Sequence, residues 1–285
     1  MSSTVRPRRP LILVTDDLEA MHWDATGESE LFSRLAVCQD IWGRNCFAPG
    51  QVYSMKQAAI ALAVNKTQIF ASIGSSMGGL GPVSLSHGVH IEVFEANPIL
   101  YEHNVSCPQF LGKLLKLERW KPGTPALKAN RYHSLSMFGA FAAAQDVKIF
   151  ASEVRASLKA GGYLYVDEIW ANDKASAARV AVAASLWQDE LCYRSKGEVI
   201  ALLAHELELR STNEANRLVK GDIREGLVKA QIVAQKLKLI PEPMRKQRLI
   251  ALTQELQRAV VLYDALDREL VTATRYIFHK KADTR

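Results

Sequence analysis

Residues 69–98 read IFASIGSSMGGLGPVSLSHGVHIEVFEANP, and this stretch decides the fold. "IFASI" is a short run of apolar and small residues, the kind buried on both faces of a parallel sheet. Gly74 ends it, and Gly78, Gly79 and Gly81 follow. "GLGPVSLSHG" predicts a short helix and "VHIEVFEA" a second strand. Strand, glycine loop, helix and strand in that order form the unit of a doubly wound parallel sheet. Such a loop lets a ligand approach backbone N–H groups at a helix start. Glu95, 21 residues after Gly74, closes the second strand, where a carboxylate accepts hydrogen bonds from ribose hydroxyls in dinucleotide sites. The bland alternative is a tight crossover with a surface glutamate.

The same alternation continues outward. Residues 17–43 carry helical spacing in their second half, through Leu31, Leu35, Cys38, Ile41 and Trp42, until Pro49 and Gly50 punctuate the chain. "YSMKQAAIALAV" predicts a helix, "KLLKLERW" a third strand and "NRYHSLSMFG" a fourth. "DVKIFASEVRASLK" has helical spacing and "AGG" is read as its stop; "YLYVDEIW" is a fifth strand rich in β-formers. "SKGEVIALLAHELELRS" reads as a helix running into a short strand, and "TATRYIFHKK" as a last strand. Between these two strands, 213–270 shows the spacing of two packed helices, broken by "PEP" at 241–243. The expected organisation is an N-terminal helical lid (1–50), a Rossmann-like cofactor-binding core (51–212), a helical insertion (213–270) and a closing strand (271–285). The fold class is α/β: a doubly wound, mostly parallel sheet with an antiparallel terminal strand.

Bulk properties narrow the function classes. With 285 residues, 48% hydrophobic and 23% charged, the chain can bury a sizeable core. No apolar run reaches the length of a membrane span, and "LILV" near the start is too short for a signal peptide. Cys38, Cys46, Cys107 and Cys192 form no CxxC pair and read as reduced thiols, so a cytoplasmic chain is expected. His87 and His90 flank a turn without a third ligand at metal spacing, and no metal is expected. The net charge is +6, and Arg217–Arg248 alone holds nine Lys/Arg against three acids. That patch suits nucleic acid, anionic lipid or an acidic substrate, or is simply a solvated face. No aromatic residue lies between 217 and 248 to stack on bases, so nucleic acid is the weaker reading.

Neither a P-loop nor a short-chain dehydrogenase pattern fits: no GKS or GKT occurs, and Leu80 stands where the latter wants glycine. The chain instead resembles the class I S-adenosylmethionine-dependent methyltransferases over roughly residues 40–170 plus the last strand. "IWGRNCFAPGQVYSMKQAAIALAV" resembles the entry and helix before the cofactor loop, "SIGSSMGGLG" the family's motif I, and "EVFEANP" its ribose-binding strand. "IFASEVRASLKAGGYLYVDE" is similar to the helix, turn and fifth strand that follow, and "TATRYIFHKK" to the antiparallel strand that closes the sheet. The resemblance implies S-adenosylmethionine as cofactor. It places the methionine part near Gly74, Met77 and Gly78, with Gly79 also among the cofactor-binding residues, the ribose at Glu95, and the adenine near Ala96, Asn97 and the 118–121 turn.

This chain departs from the pattern at four points. Ser72 replaces the usual motif I acid and Ser76 its middle glycine, although both can still hydrogen-bond. Trp120 stands where an aspartate commonly meets the adenine amine, and would stack instead. "NRYHSLS" lacks the usual acid of the fourth strand. Methyl transfer from a sulfonium needs in-line positioning more than a triad. If a base is needed, Asp167 and Glu168 are the candidates, since they close the fifth strand at the ligand-binding edge; capping and solvation are the plain alternatives. His133 reads as a locally bonded strand histidine, and Trp42 and Trp170 as packing residues.

The expected function is therefore methyl transfer to a small molecule, with the insertion as substrate cap or homodimer surface. A methyltransferase-like binding or regulatory protein without turnover is the alternative. A nucleic-acid modifier using the basic insertion ranks third.

Overall fold

The computed structural model describes residues 30–43, 46–62, 67–74, 88–106, 115–185 and 194–282. β1 (Ile69–Ile73) lies inside a seven-stranded sheet, and from Phe70 onward every one of its residues is buried. Its Phe70 and Ile73 bury about 2 kcal/mol each in transfer free energy. β1 pairs with β2 (His90–Glu95) on one side and β4 (Tyr132–Phe138) on the other, both parallel. β3 (Leu115–Arg119) forms one edge beside β2. Glu92 of β2, buried among apolar strands, is bound by Arg131 and by Tyr132 Oη at 2.8 Å. Burial would raise its carboxyl, but these two partners outweigh burial and hold it at about 2.

β5 (Leu158–Ala171) runs parallel beside β4, and β7 (Val271–Lys280) runs antiparallel beside β5. β6 (Leu207–Glu214) pairs only with β7, so the order is β3-β2-β1-β4-β5-β7-β6. The expected fold class holds, with one addition that spacing does not reveal. β7 does not close the sheet at its border; it enters between β5 and β6, and β6 is the edge.

Helices cover both faces. α1 (Glu30–Trp42) and α2 (Gln51–Ala61) precede β1; α3 (Pro98–Ser106) follows β2. α4 (Ala140–Ala143) and α5 (Val147–Ser157) link β4 to β5. α6 (Lys174–Ser185) and α7 (Lys196–Ala204) link β5 to β6. α5 is capped by Asp146, whose carboxylate accepts from Lys148 N at 2.8 Å. It ends at Ser157, before the expected "AGG" stop: β5 begins at Leu158, and Gly161 at φ +76 bends it. A side chain at Gly162 would meet the carbonyls of Lys159 and His133.

α8 (Asn216–Leu237) and α9 (Glu242–Asp267) form a hairpin between β6 and β7, and α1 packs along both. Val219, Ile223, Ala230, Val233 and Leu237 give α8 a buried stripe at helical spacing, packed with Leu35, Ile41 and Trp42 of α1. Gly226 is the groove that admits Trp42, whose ring occupies the space a Cβ would need. Trp42 Nε1 donates to Glu255 Oε1 at 3.0 Å, and Arg34 and Arg258 neutralise that buried carboxylate.

Candidate functional site

In a doubly wound sheet ligands bind at the carboxyl ends of the strands, where the chain reverses its winding direction. Here that point lies between β1 and β4, because β1 leads to β2 on one side and β3 leads back to β4 on the other. Gly74 leaves β1 there with φ +73. A Cβ on it would run into the Phe138 carbonyl at the end of β4, so only glycine fits. Its N–H donates to Phe94 O at 2.9 Å, and Trp120 N donates to Glu95 O at 3.0 Å. Three strand ends are thereby stitched into one ledge.

Glu95 stands on that ledge, 3% exposed, with Oε1 accepting from Asn97 N at 3.0 Å. The backbone N–H thus aims the carboxylate before any ligand arrives. Asn97 and Ala96 are half-buried behind it, and Asn97 Oδ1 faces Leu100 N at 3.4 Å at the start of α3. Gly74, Glu95, Ala96 and Asn97 lie together at the ends of β1 and β2. Ser76, Met77, Gly78 and Gly79 lie outside the described residues.

Two of the expected cofactor residues are buried in the core. Ser72 is fully buried, and its Oγ accepts from Ser136 Oγ at 3.0 Å, directly across the β1–β4 pair. It is a cross-strand tie inside the sheet and does not face the ledge. Trp120 is 3% exposed, stacks on Phe150 at 5.0 Å between centroids, and donates Nε1 to Thr124 O at 3.2 Å. Its ring faces the core, so it offers no free stacking surface.

The two carboxyls expected as bases are also committed elsewhere. Asp167 Oδ2 accepts from Arg275 Nε at 2.9 Å, and Arg275 also reaches Ser54 Oγ of α2 at 2.9 Å. Burial lifts Asp167 above its ordinary value, against the pull of Arg275 and Ser54. The Arg275 guanidinium lies over the Tyr53 ring at 4.8 Å, so one arginine pins the start of α2 to β5 and β7. Gly50, just before α2, donates its N–H to Asp222 of α8 at 2.8 Å. Beside this cluster Tyr165 Oη is buried and makes no hydrogen bond of good geometry, although Ser54 is near.

Glu168 projects to the other face, 4% exposed, and its Oε2 accepts from Phe141 N at 3.0 Å. Burial pushes its carboxyl up to about 8; the Phe141 and Ala142 N–H groups pull it down and the Asp167 charge adds to the rise. It fastens the turn after β4, where Gly139 sits at φ +66. Both acids are thus engaged by groups of the protein itself.

His133 accepts from Ile69 N at 3.1 Å, and Trp170 is buried between Phe141 and Tyr276. Sequence reasoning missed Arg275, Ser54 and Tyr53. The available signal was Arg275 itself, a lone cation inside the otherwise apolar strand "TATRYIF".

Several solved structures share this overall fold. One solved structure that it resembles is a phosphoethanolamine N-methyltransferase of Haemonchus contortus, in complex with phosphomonomethylethanolamine and S-adenosylhomocysteine. The match has a TM-score of 0.70 at 10% identity, over 91% of this chain and 60% of that one. A geranyl diphosphate C-methyltransferase of Streptomyces coelicolor matches with a TM-score of 0.61 at 8% identity, over 81% of this chain and 79% of that one. The [4+2]-cyclase SpnF matches with a TM-score of 0.62 at 11% identity, over 89% of this chain and 94% of that one. At these identities the likeness is one of fold alone, and a cyclase among them shows that the fold does not dictate the reaction. No family model matches the chain, and no curated protein matches it by sequence.

Proposed function

We propose that this chain is an S-adenosylmethionine-dependent methyltransferase acting on a small molecule. The observation that carries the reading is the pairing of Gly74 and Glu95 on one ledge at the switch point, with no room for a side chain at 74 and a buried carboxylate pre-aimed at 95. These residues fit the cofactor. Glu95 would accept the ribose hydroxyls, the backbone at Gly74 would border the methionine part together with Ser76, Met77, Gly78 and Gly79, and Ala96 and Asn97 would border the adenine. When bound, the sulfonium supplies an already activated methyl group. The chain's own task is to hold an acceptor in line and exclude water. Arg275, Asp167 and Ser54 serve that task by fixing α2, and Glu168 by fixing the turn after β4. The neighbours named for phosphoethanolamine and geranyl diphosphate support a small acceptor.

Calorimetric titration with S-adenosylmethionine and S-adenosylhomocysteine tests this reading. Micromolar binding that Glu95→Ala weakens sustains it; a folded protein that takes up neither ligand defeats it. The second reading, a binding protein without turnover, draws on Ser72 locked to Ser136 and Asp167 locked to Arg275. Tight cofactor binding with no methyl transfer across amine, hydroxyl, carboxylate and carbanion acceptors would favour it.

A further inference from the structure

We propose that the tip of the α8–α9 hairpin docks on an anionic lipid surface. The hairpin leaves and rejoins the sheet at the carboxyl edge: Ala215 N donates to Ala273 O at 2.8 Å, and α9 returns to β7 through Leu270. A helix of 22 residues spans about 33 Å. The 238–241 turn is thus one helix length, ~33 Å, from the point where α8 leaves the sheet.

The tip combines two features that water alone does not favour together. Leu239 is 87% exposed at the turn, flanked by exposed Lys236 and Lys238. On the adjoining face of α9, Leu249 and Ile250 are 40% and 44% exposed, beside Arg245 and Lys246. These four line a shallow depression of about 480 Å³. Across 242–250 no side chain is buried, whereas Ala251, Leu252, Glu255 and Ala259 further along α9 are. Residues 235–250 hold five Lys/Arg against Glu242 alone, and Asp40 of α1 is the acid whose charge lies near Lys236 and Arg248.

Aliphatic side chains set among cations match the boundary between headgroups and acyl chains, where phosphates meet the cations and the aliphatic groups leave water. Nucleic acid matches only half of this: it would use the cations, but no aromatic residue stands between 217 and 248 to stack on a base. A second copy docking through the same patch would set like charge against like charge across a two-fold axis. The occupant that satisfies both features is a lipid surface carrying negative charge. This inference stands apart from the cofactor reading, since nothing in it uses Gly74 or Glu95.

The test is co-sedimentation of the full chain with neutral phosphatidylcholine vesicles and with vesicles also containing phosphatidylglycerol, at low and high salt. Binding is expected on the anionic vesicles only, and high salt should release it. Lys236→Gln/Lys238→Gln should weaken it roughly thirtyfold, at about 1 kcal/mol per lysine. Leu239→Ser should weaken it about tenfold by removing one buried aliphatic side chain. These positions are exposed, and an unchanged melting curve confirms that the variants are folded. Equal binding to neutral vesicles, no binding at low salt, or binding indifferent to both variants would overturn the proposal. So would tighter capture of a single-stranded DNA oligomer than of anionic vesicles, or a dimer in sedimentation velocity that Leu239→Ser dissolves.

Discussion

The two halves of the sheet treat their carboxyl ends differently. From β3 to β4 the strands are parallel, and backbone donors join their ends: Gly74 N donates to Phe94 O of β2, and Asn97 N donates to Glu95 Oε1. From β5 to β6 the reversed β7 intervenes, and the polar side chains at the same height are spent on the protein itself, Asp167 on Arg275, Arg275 on Ser54, Glu168 on Phe141 N. In one half backbone groups join the strand ends, and in the other buried charges hold α2 against β5 and β7 as a roof on that half. An acid at a strand end is therefore no guide to chemistry until its partner is known.

Substitutions can break this division, and the largest effect is expected at Gly74. Gly74→Ala forces a Cβ against the Phe138 carbonyl at a positive φ, and should cost about 3 kcal/mol in urea unfolding. A stable variant would mean that the strand ends are not so tightly stitched. Arg275→Leu leaves Asp167 buried without its cation and should cost a similar amount, roughly 3 kcal/mol. Adding Asp167→Leu should recover most of it; a double variant as unstable as the sum of the singles would show that the pair is not the roof's fastening.

Glu95→Ala should reduce affinity for S-adenosylhomocysteine about thirtyfold, the equivalent of one charge-assisted hydrogen-bond pair, measured by calorimetry. An unchanged affinity would remove the ribose role. Glu168 is expected to act through pH. Its folded value, about 8, lies above the ordinary carboxyl value of 4.5, so its contribution to stability is fully present at acid pH and is lost as pH rises through 8. Glu168→Gln keeps an acceptor for Phe141 N and cannot ionise. Relative to the parent it should gain about 4 kcal/mol between pH 5 and pH 9, read from urea midpoints; parallel curves would place the proton elsewhere. The smallest effect belongs to Ser72→Ala, which removes one Ser–Ser hydrogen bond at a cost of about 1 kcal/mol. Cofactor affinity should not change, and a marked loss would return Ser72 to the ledge.

The same division explains what was legible in the sequence. β1, β2 and the Gly74–Glu95 spacing are local signals, set by strand composition and by one backbone position that admits only glycine. The helices 216–237 and 242–267 announce themselves by apolar spacing around Pro241. Asp167 and Arg275 were opaque because they are 108 residues apart, and each looks alone like a candidate base or a stray cation. The core contacts of Trp120 and Ser72 were not legible because alignment gives a position along the chain but not what packs against its side chain. α3 and α6 went unread although Asn97-Pro98 and Asp173 mark their starts; Asp173 Oδ1 accepts from Ser176 N at 2.6 Å.

The placement of β7 between β5 and β6 also bears on how the molecule is made. Synthesis delivers β6 before its only neighbour in the sheet, and a 22-residue and a 26-residue helix separate the two. Until β7 emerges, β5 keeps an open border and β6 has nothing to pair with. The ledge between β1 and β4 needs none of this and can form first. The border strand and the Arg275 fastening of α2 must then wait for the same late segment, so a chain interrupted before residue 271 would carry the β1–β4 ledge without the arginine that holds α2.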